Sequence, residues 1–176
     1  MATKKNLIIV ALVTLLGTAL MAQEENQAAP EQDATQKTAI LKEFTRSAKM
    51  DGIILNFVLL NNKTVDLLFA GEGKYAMRAR ANVATTFFVQ GVPQKDISFD
   101  PQFVVEQDGK TFTGTAINMS NLQAGKVAKG ARIAGLIQLS QKIDVDKPFK
   151  IKGAQNSSTE FKLSKKAIEL MQDSGT

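Results

Sequence analysis

The stretch YAMRARANVATTFFV, residues 75–89, decides how the rest of this chain is read. Its odd positions carry Tyr75, Met77, Ala79, Ala81, Val83, Thr85, Phe87 and Val89, and its even positions include Arg78, Arg80, Asn82 and Thr86. Successive strand side chains point to opposite faces, so a period of two sets an apolar row against a core and a charged row in water. Ala76, Ala79, Ala81 and Ala84 favour a helix at the N-terminal end. The β-branched and aromatic residues from Val83 onward fit a pleated surface, and the stretch is read as one long strand with a bend near Asn82.

The flanking segments extend the pattern. Residues 53–60 are apolar on both faces except at Asn56, which suits a central strand. Asn61-Asn62-Lys63 reads as a turn, with Val65, Leu67 and Phe69 alternating behind it to complete a hairpin before Gly71-Glu72-Gly73. Pro101 lacks a donor, so the strand in 97–107 begins after it or lies at an edge. Asp108-Gly109 accepts the positive φ of a type I′ turn and pairs 103–107 with 110–117. Ile133, Gly135, Ile137 and Leu139 form another inward row, and Phe149, Ile151, Phe161 and Leu163 mark two more strands. Ser164 caps a short helix over 164–172. Residues 38–50 are left open between a helix, on the stripe Ile40, Leu41, Phe44 and Ala48, and a first strand.

These short strands with turns between them predict an all-β chain, an antiparallel immunoglobulin-like sandwich with a short C-terminal helix. Its core is expected to contain Leu55, Phe57, Val65, Leu67, Phe69, Val83, Phe87, Phe103, Phe112, Ile137, Leu139, Phe149 and Ile151.

The N-terminus has a different character. Lys4 and Lys5 precede an apolar run over 7–20, and Leu20-Met21-Ala22 offers a cleavage site, so 1–22 reads as a secretory signal. The apolar run is shorter than the about 20 residues that span a bilayer. The domain plan is then a signal at 1–22, a disordered polar leader at 23–37, a β-sandwich at 38–163, and a terminal helix and tail at 164–176. Cleavage lowers the formal charge of +5 by two lysines. A mild spread excess of cations bears on solubility first, and nucleic acid is not an expected partner of an exported chain. With zero Cys there are no disulfides, which points to a bacterial periplasmic, surface or secreted protein stabilised by packing.

Several segments together resemble a known family. They are Ile54-Leu55-Asn56-Phe57-Val58-Leu59-Leu60-Asn61-Asn62, then Phe99-Asp100-Pro101-Gln102-Phe103-Val104-Val105-Glu106-Gln107-Asp108-Gly109-Lys110, then Leu122 with Gly125 and Gly130, then Gly135-Leu136-Ile137-Gln138-Leu139. This order resembles the telokin-like, immunoglobulin-like domains of secreted and surface-attached bacterial proteins of unassigned function, over residues 40–163. The chain departs from that pattern in the stretch 75–89 and in lacking a lipid-attachment cysteine. The resemblance implies a sandwich and brings no catalytic residues.

Residue types exclude much chemistry. Zero His and zero Cys rule out Ser-His-Asp and Cys-His catalysis and the usual zinc sites. Gly125-x4-Gly130 is followed by Ala131-Arg132, where a phosphate loop needs Lys and Ser or Thr. Asp96 with Asp100, or Asp144 with Asp146, offers carboxylates for acid-base work or calcium, although Asp in loops is usually a turn former. No cofactor is implied. The reading favoured is a non-catalytic exported module that binds a protein or an anionic envelope polymer. The alternatives are a secreted carboxylate-dependent hydrolase, or an immunoglobulin-like protease inhibitor presenting 91–96 or 154–159. The candidate site is a basic face in which Arg78 and Arg80 point outward beside Lys126, Lys129 and Arg132, five cations that would attract an anionic ligand.

Overall fold

A computed structural model describes residues 30–50, 52–154 and 157–172. The expected signal, its cleavage after Ala22 and the leader up to residue 29 lie outside the described residues. Two units divide the chain, Met1–Ala39 and Ile40–Thr176. The described part of the first belongs to helix α1 (Pro30–Glu43), in which Thr38 Oγ1 donates to the Ala34 carbonyl at 2.8 Å. Residues 30–37, expected as unstructured leader, are therefore helical. Proline in a first turn gives up only an N–H that has no helical partner, and Glu, Gln, Ala and Lys behind it are good helix formers.

From Ile40 onward the chain builds one sheet. Strand β1 (Thr45–Met50) pairs antiparallel with β2 (Ile53–Leu59), Gly52 taking φ +80° in the turn between them. The open reading of 38–50 thus resolves as both, a helix up to Glu43 and a strand from Thr45. Helices α2 (Asn62–Leu68) and α3 (Gly71–Val83) follow, then β3 (Thr86–Gly91), β4 (Ile97–Phe99), β5 (Phe103–Gln107) and β6 (Lys110–Ser120). The rest comprises β7 (Gly125–Val127), β8 (Ile133–Leu139), β9 (Phe149–Lys152), β10 (Ser158–Phe161) and helix α4 (Lys165–Gln172). Eight strands are ordered β1-β2-β3-β8-β6-β5-β9-β10, all neighbours antiparallel, while β4 and β7 pair separately.

The first and last strands of that order come together, so the sheet is nearly closed and barrel-like. Arg46 on β1 donates to the Lys162 carbonyl just past β10 and sets its guanidinium 5.5 Å from the centroid of the Phe161 ring. Ser164 Oγ donates to Glu43 Oε2 at 2.6 Å beside the same seam. Eight strands enclose an interior that side chains can just fill. Rings reach across it from opposite walls: Phe57 on β2 meets Phe103 on β5 edge to face at 5.6 Å, and Phe87 on β3 meets Phe149 and Phe161 at 5.9 and 5.5 Å. Leu122 enters the same interior against Gly135, where a Cβ would stand 2.6 Å from Leu122 Cδ2 and 2.4 Å from the Ile117 carbonyl oxygen. Only glycine leaves room for that approach.

Mostly antiparallel β-structure and a short C-terminal helix agree with the sequence reading. Asp108 and Gly109 take φ +50° and +74° between Gln107 and Lys110, the expected two-residue turn. Two elements are corrections. The strand expected through Val65, Leu67 and Phe69 is helix α2, because a capping box starts it: Thr64 N donates to Asn61 Oδ1 and Asn61 N to Thr64 Oγ1, both at 2.9 Å. The single strand expected over 75–89 is helix α3 as far as Val83 and strand β3 from Thr86. Three alanines, Ala76, Ala79 and Ala81, favour the helix in the first half and β-branched residues the strand in the second. Extended Ala84, at φ −145°, ψ 156°, makes the break. Of the expected core, Val83 is 76% exposed as a result, and Leu67 and Phe69 are half-buried, while the other ten residues are buried.

Helix α3 has no buried residue. Three of its four charged side chains turn toward the body, Lys74 and Arg78 to Asp66 on α2 and Arg80 to Gln138 on β8. Tyr75 and Val83 stand in solvent. Among the described residues no helix is long and apolar enough to cross a membrane.

Candidate functional site

The break between α3 and β3 and the cap of α2 meet at one end of the barrel, and a groove forms there. Leu60 N donates to the Thr86 carbonyl at 2.9 Å, which ties the end of β2 to the start of β3. Thr85 then anchors the loop after β8: Ile143 N donates to Thr85 Oγ1 at 3.0 Å and Thr85 N to the Gln141 carbonyl at 3.4 Å. Two adjoining concavities result, both lined by Asn62 and Asn82.

The first, about 220 Å³, has an apolar wall drawn from four segments, Leu59 and Leu60, Ala81, Ile143 with Val145, and Met171 of α4. Asn61, Thr85 and Lys142 add polar groups to it. The second is an open concavity of about 530 Å³, lined by Lys63, Asp66 and Arg78 besides the two shared asparagines. Arg78 Nη2 lies 2.5 Å and Lys74 Nζ 3.0 Å from Asp66 Oδ1, so one carboxylate orients the guanidinium from α2. Burial pushes the Asp66 carboxyl upward, but the hydrogen bonds and charges of Lys74 and Arg78 outweigh it and hold the group below its ordinary value.

Two buried side-chain atoms of the described residues have no hydrogen-bond partner, Asn61 Nδ2 and Arg78 Nε. Both are donors closed off from solvent, on residues that line the two adjoining concavities. A buried donor left unsatisfied costs about 1–3 kcal/mol.

A third concavity of about 500 Å³ lies over the Asp108-Gly109 turn and the outer faces of β5, β9 and β10. Its ionic groups are largely matched. Lys152 Nζ meets Glu106 Oε1 at 2.5 Å, and Lys147, which does not line it, meets Asp144 at 3.3 Å and Asp108 at 3.6 Å. The hydrogen bond that Lys147 donates to Asp144, followed by the charge of Asp108, raises the Lys147 ammonium above its ordinary value.

The five cations expected on one face do not share one. Arg78 belongs to the groove. Arg80 Nη1 donates to Gln138 Oε1 at 3.1 Å near the C-terminal end of β8. Lys126 lies on β7, Lys129 N donates to Asp96 Oδ1 at 2.8 Å, and the Arg132 carbonyl accepts from Asn121 Nδ2 at 2.8 Å, all before the N-terminal end of β8. A strand of that length, at ~3.4 Å per residue, separates the two groups by about 20 Å. The premise that Arg78 and Arg80 share a strand face also falls, since both are on a helix.

The loop carboxylates act in turns. Asp96 holds the Lys129 amide, and Asp144 Oδ1 accepts from Asp146 N at 3.2 Å. Among the described residues no group of three or more acidic side chains is placed to hold a metal ion. Sequence reasoning missed Asn61, Asn62, Asn82 and Lys142. The one signal available for them was the Asn61-x-x-Thr64 capping pattern, which marks a helix start in place of a turn.

The ion pair on α2 sets a pH dependence. A carboxyl depressed in the folded state adds stability above its ordinary unfolded value, near 3.8, and that stability is lost as pH falls through the folded value. Replacing Asp66 by Asn should lower the unfolding free energy measured with urea at pH 7 by well under about 1 kcal/mol, because the pair is largely solvated. The difference between the two proteins should close as pH falls through the folded value of Asp66, below 3.8. Unchanged separation at the acid end would mean that Asp66 acts through packing alone.

A comparison of the chain with protein-family models, with curated proteins and with solved structures finds no match.

Proposed function

We propose that the chain is an exported, non-catalytic binding module that holds an acceptor-bearing anionic ligand in the groove between α2 and α3. The observation that carries this reading is the open concavity lined by Lys63, Arg78, Asn62 and Asn82, next to one with an apolar wall. Its carboxamides offer donors, and the two cations against the single carboxylate of Asp66 favour an anion. Asp66 fixes Arg78 before any ligand arrives, which lowers the ordering cost of binding. Export rests on the charged and apolar succession at 1–22, and it makes envelope anions the natural source of such ligands.

The telokin-like, immunoglobulin-like kinship belongs to this proposal as its finer part. The single curled ladder favours a barrel over the two stacked sheets of that family. The hydrolase and inhibitor readings have no observation of their own, since Asp96 and Asp144 serve backbone amides.

Titration of the purified protein with acetate and with inorganic phosphate tests the reading by NMR. Saturable shifts are expected at the Asn62 and Asn82 side-chain amide signals, weakening as salt rises. Arg78→Gln removes a cation from the concavity and should weaken binding several-fold. Shifts spread over surface lysines, with those two signals unmoved, would overturn the assignment.

A further inference from the structure

We infer that α3 pairs with the α3 of a second copy of this chain, antiparallel, about a two-fold axis at Ala79. Past its first turn the helix exposes Tyr75, Ala76, Ala79, Asn82 and Val83, which the three- and four-residue steps of a helix gather on one side. Its three cations are half-buried instead, Lys74 and Arg78 against Asp66 and Arg80 against Gln138. That reverses the usual surface helix, which packs its apolar stripe and leaves its charges in water. Tyr75 and Val83, 70% and 76% exposed, are two of the four large apolar residues left exposed among the described ones. A helix of 13 residues is marginal in water without packing, and this one buries no residue. The apolar side whose packing would stabilise it is the side left open.

The stripe complements itself. In an antiparallel pair centred on Ala79, Tyr75 lies opposite Val83 of the second copy at both ends, because each is four residues from the axis. A small residue at the crossing lets the helices approach closely, and a ring at each end covers a valine. Charge selects this occupant as well. The chain carries a formal +5, so two copies repel over most of their surface. Between Tyr75 and Val83 the exposed stripe has no charge, and Asp66 offsets Lys74 and Arg78 beside it. Glu72 and Lys142 are exposed and have no ion-pair partner among the described residues. A parallel pair would set Glu72 against Glu72. The antiparallel one carries Glu72 toward the C-terminal end of the second copy's helix, where Lys142 lines a concavity with Ala81 and Asn82.

One helix pair is a small interface, below the area of a standard complex, so the dimer is weak. Sedimentation velocity of the full protein should show a monomer–dimer equilibrium with a midpoint on the order of 100 μM. Ala79→Glu keeps a good helix former but sets two carboxylates on the axis, and should leave the protein monomeric to about 1 mM with an unchanged far-UV spectrum. Glu72→Lys should weaken the dimer about threefold, and adding Lys142→Glu should restore it. A double exchange that restores nothing overturns the antiparallel register. The chain has no Cys, so Ala79→Cys reports on position by itself. Under mild oxidation it should link to its own copy about tenfold faster than Met119→Cys, exposed elsewhere, because the axis brings two Cβ atoms toward the ~4 Å of a disulfide. A dimer that survives Ala79→Glu overturns the pairing, and so does a protein that stays monomeric while both cysteine variants link equally slowly. Binding of a monomeric protein to phosphatidylglycerol vesicles, lost in Ala79→Glu, overturns it in favour of a lipid surface.

Discussion

Replacing Phe57 by Ala is expected to cost the fold about 3–5 kcal/mol, a large share of the about 5–15 kcal/mol that holds a domain of this size together. Phe57 is fully buried on β2 and meets Phe103 across the interior at an interplanar angle of 82°. Truncation removes the transfer energy of a ring, opens a cavity between two walls, and forfeits an edge-to-face contact of about 0.5–1.5 kcal/mol. The control lies three residues away on the same strand. Ile54 points outward and is 46% exposed, so Ile54→Ala should change stability by less than about 0.5 kcal/mol. Urea unfolding with an unchanged m-value checks both. A loss at Phe57 no larger than that at Ile54 would mean that opposite walls do not meet through this ring.

That contrast depends on strand side chains alternating between faces, and runs of bulky apolar residues were a good guide to three strands. Residues 53–59, 103–107 and 133–139 are strands because their apolar rows have side chains large enough to fill an interior. The Asp108-Gly109 turn was legible because few dipeptides accept two positive φ values in succession. In 75–83 the same alternation misled. Alanine counts as apolar in a strand pattern, yet it buries little and favours a helix, so the row of Ala79 and Ala81 was a pattern without a driving force. In 62–68 the decision belonged to one reciprocal cap between Asn61 and Thr64, which outweighed three alternating apolar residues.

Closure and the groove were beyond local reading for a different reason. Both depend on segments distant in sequence, as with Arg46 and the Lys162 carbonyl, or Leu60 and Met171. Arg78 was legible as a functional cation. Its company was not, because the helix that carries it turns Arg80 toward β8 and Arg78 toward Asp66. A charge pattern names the cations of a chain, and only the packing of α2, α3 and the loop after β8 says which of them share a ligand.

The seam of the barrel gives the second large effect. Phe161→Ala should also cost about 3–5 kcal/mol, and its damage should be uneven. Phe161 is fully buried, stacks on Phe149 at 5.0 Å and 8°, touches Phe87 at 5.5 Å, and has the Arg46 guanidinium over its ring. Strand β10 has a ladder on one side only, with four residue pairs to β9, and β1 likewise pairs only with β2. What joins these two edges is the side-chain seam of Arg46, Phe161 and the Glu43–Ser164 hydrogen bond. Losing the ring should therefore speed hydrogen exchange at β1 and β10 well beyond the change at β3 and β8, where ladders run on both sides. A double-mutant cycle with Arg46→Ala should return a coupling of about 1 kcal/mol, the scale of a partly desolvated cation over an aromatic face. Exchange that rises uniformly over all eight strands, with no coupling to Arg46, would describe an open sheet whose ends merely lie near each other.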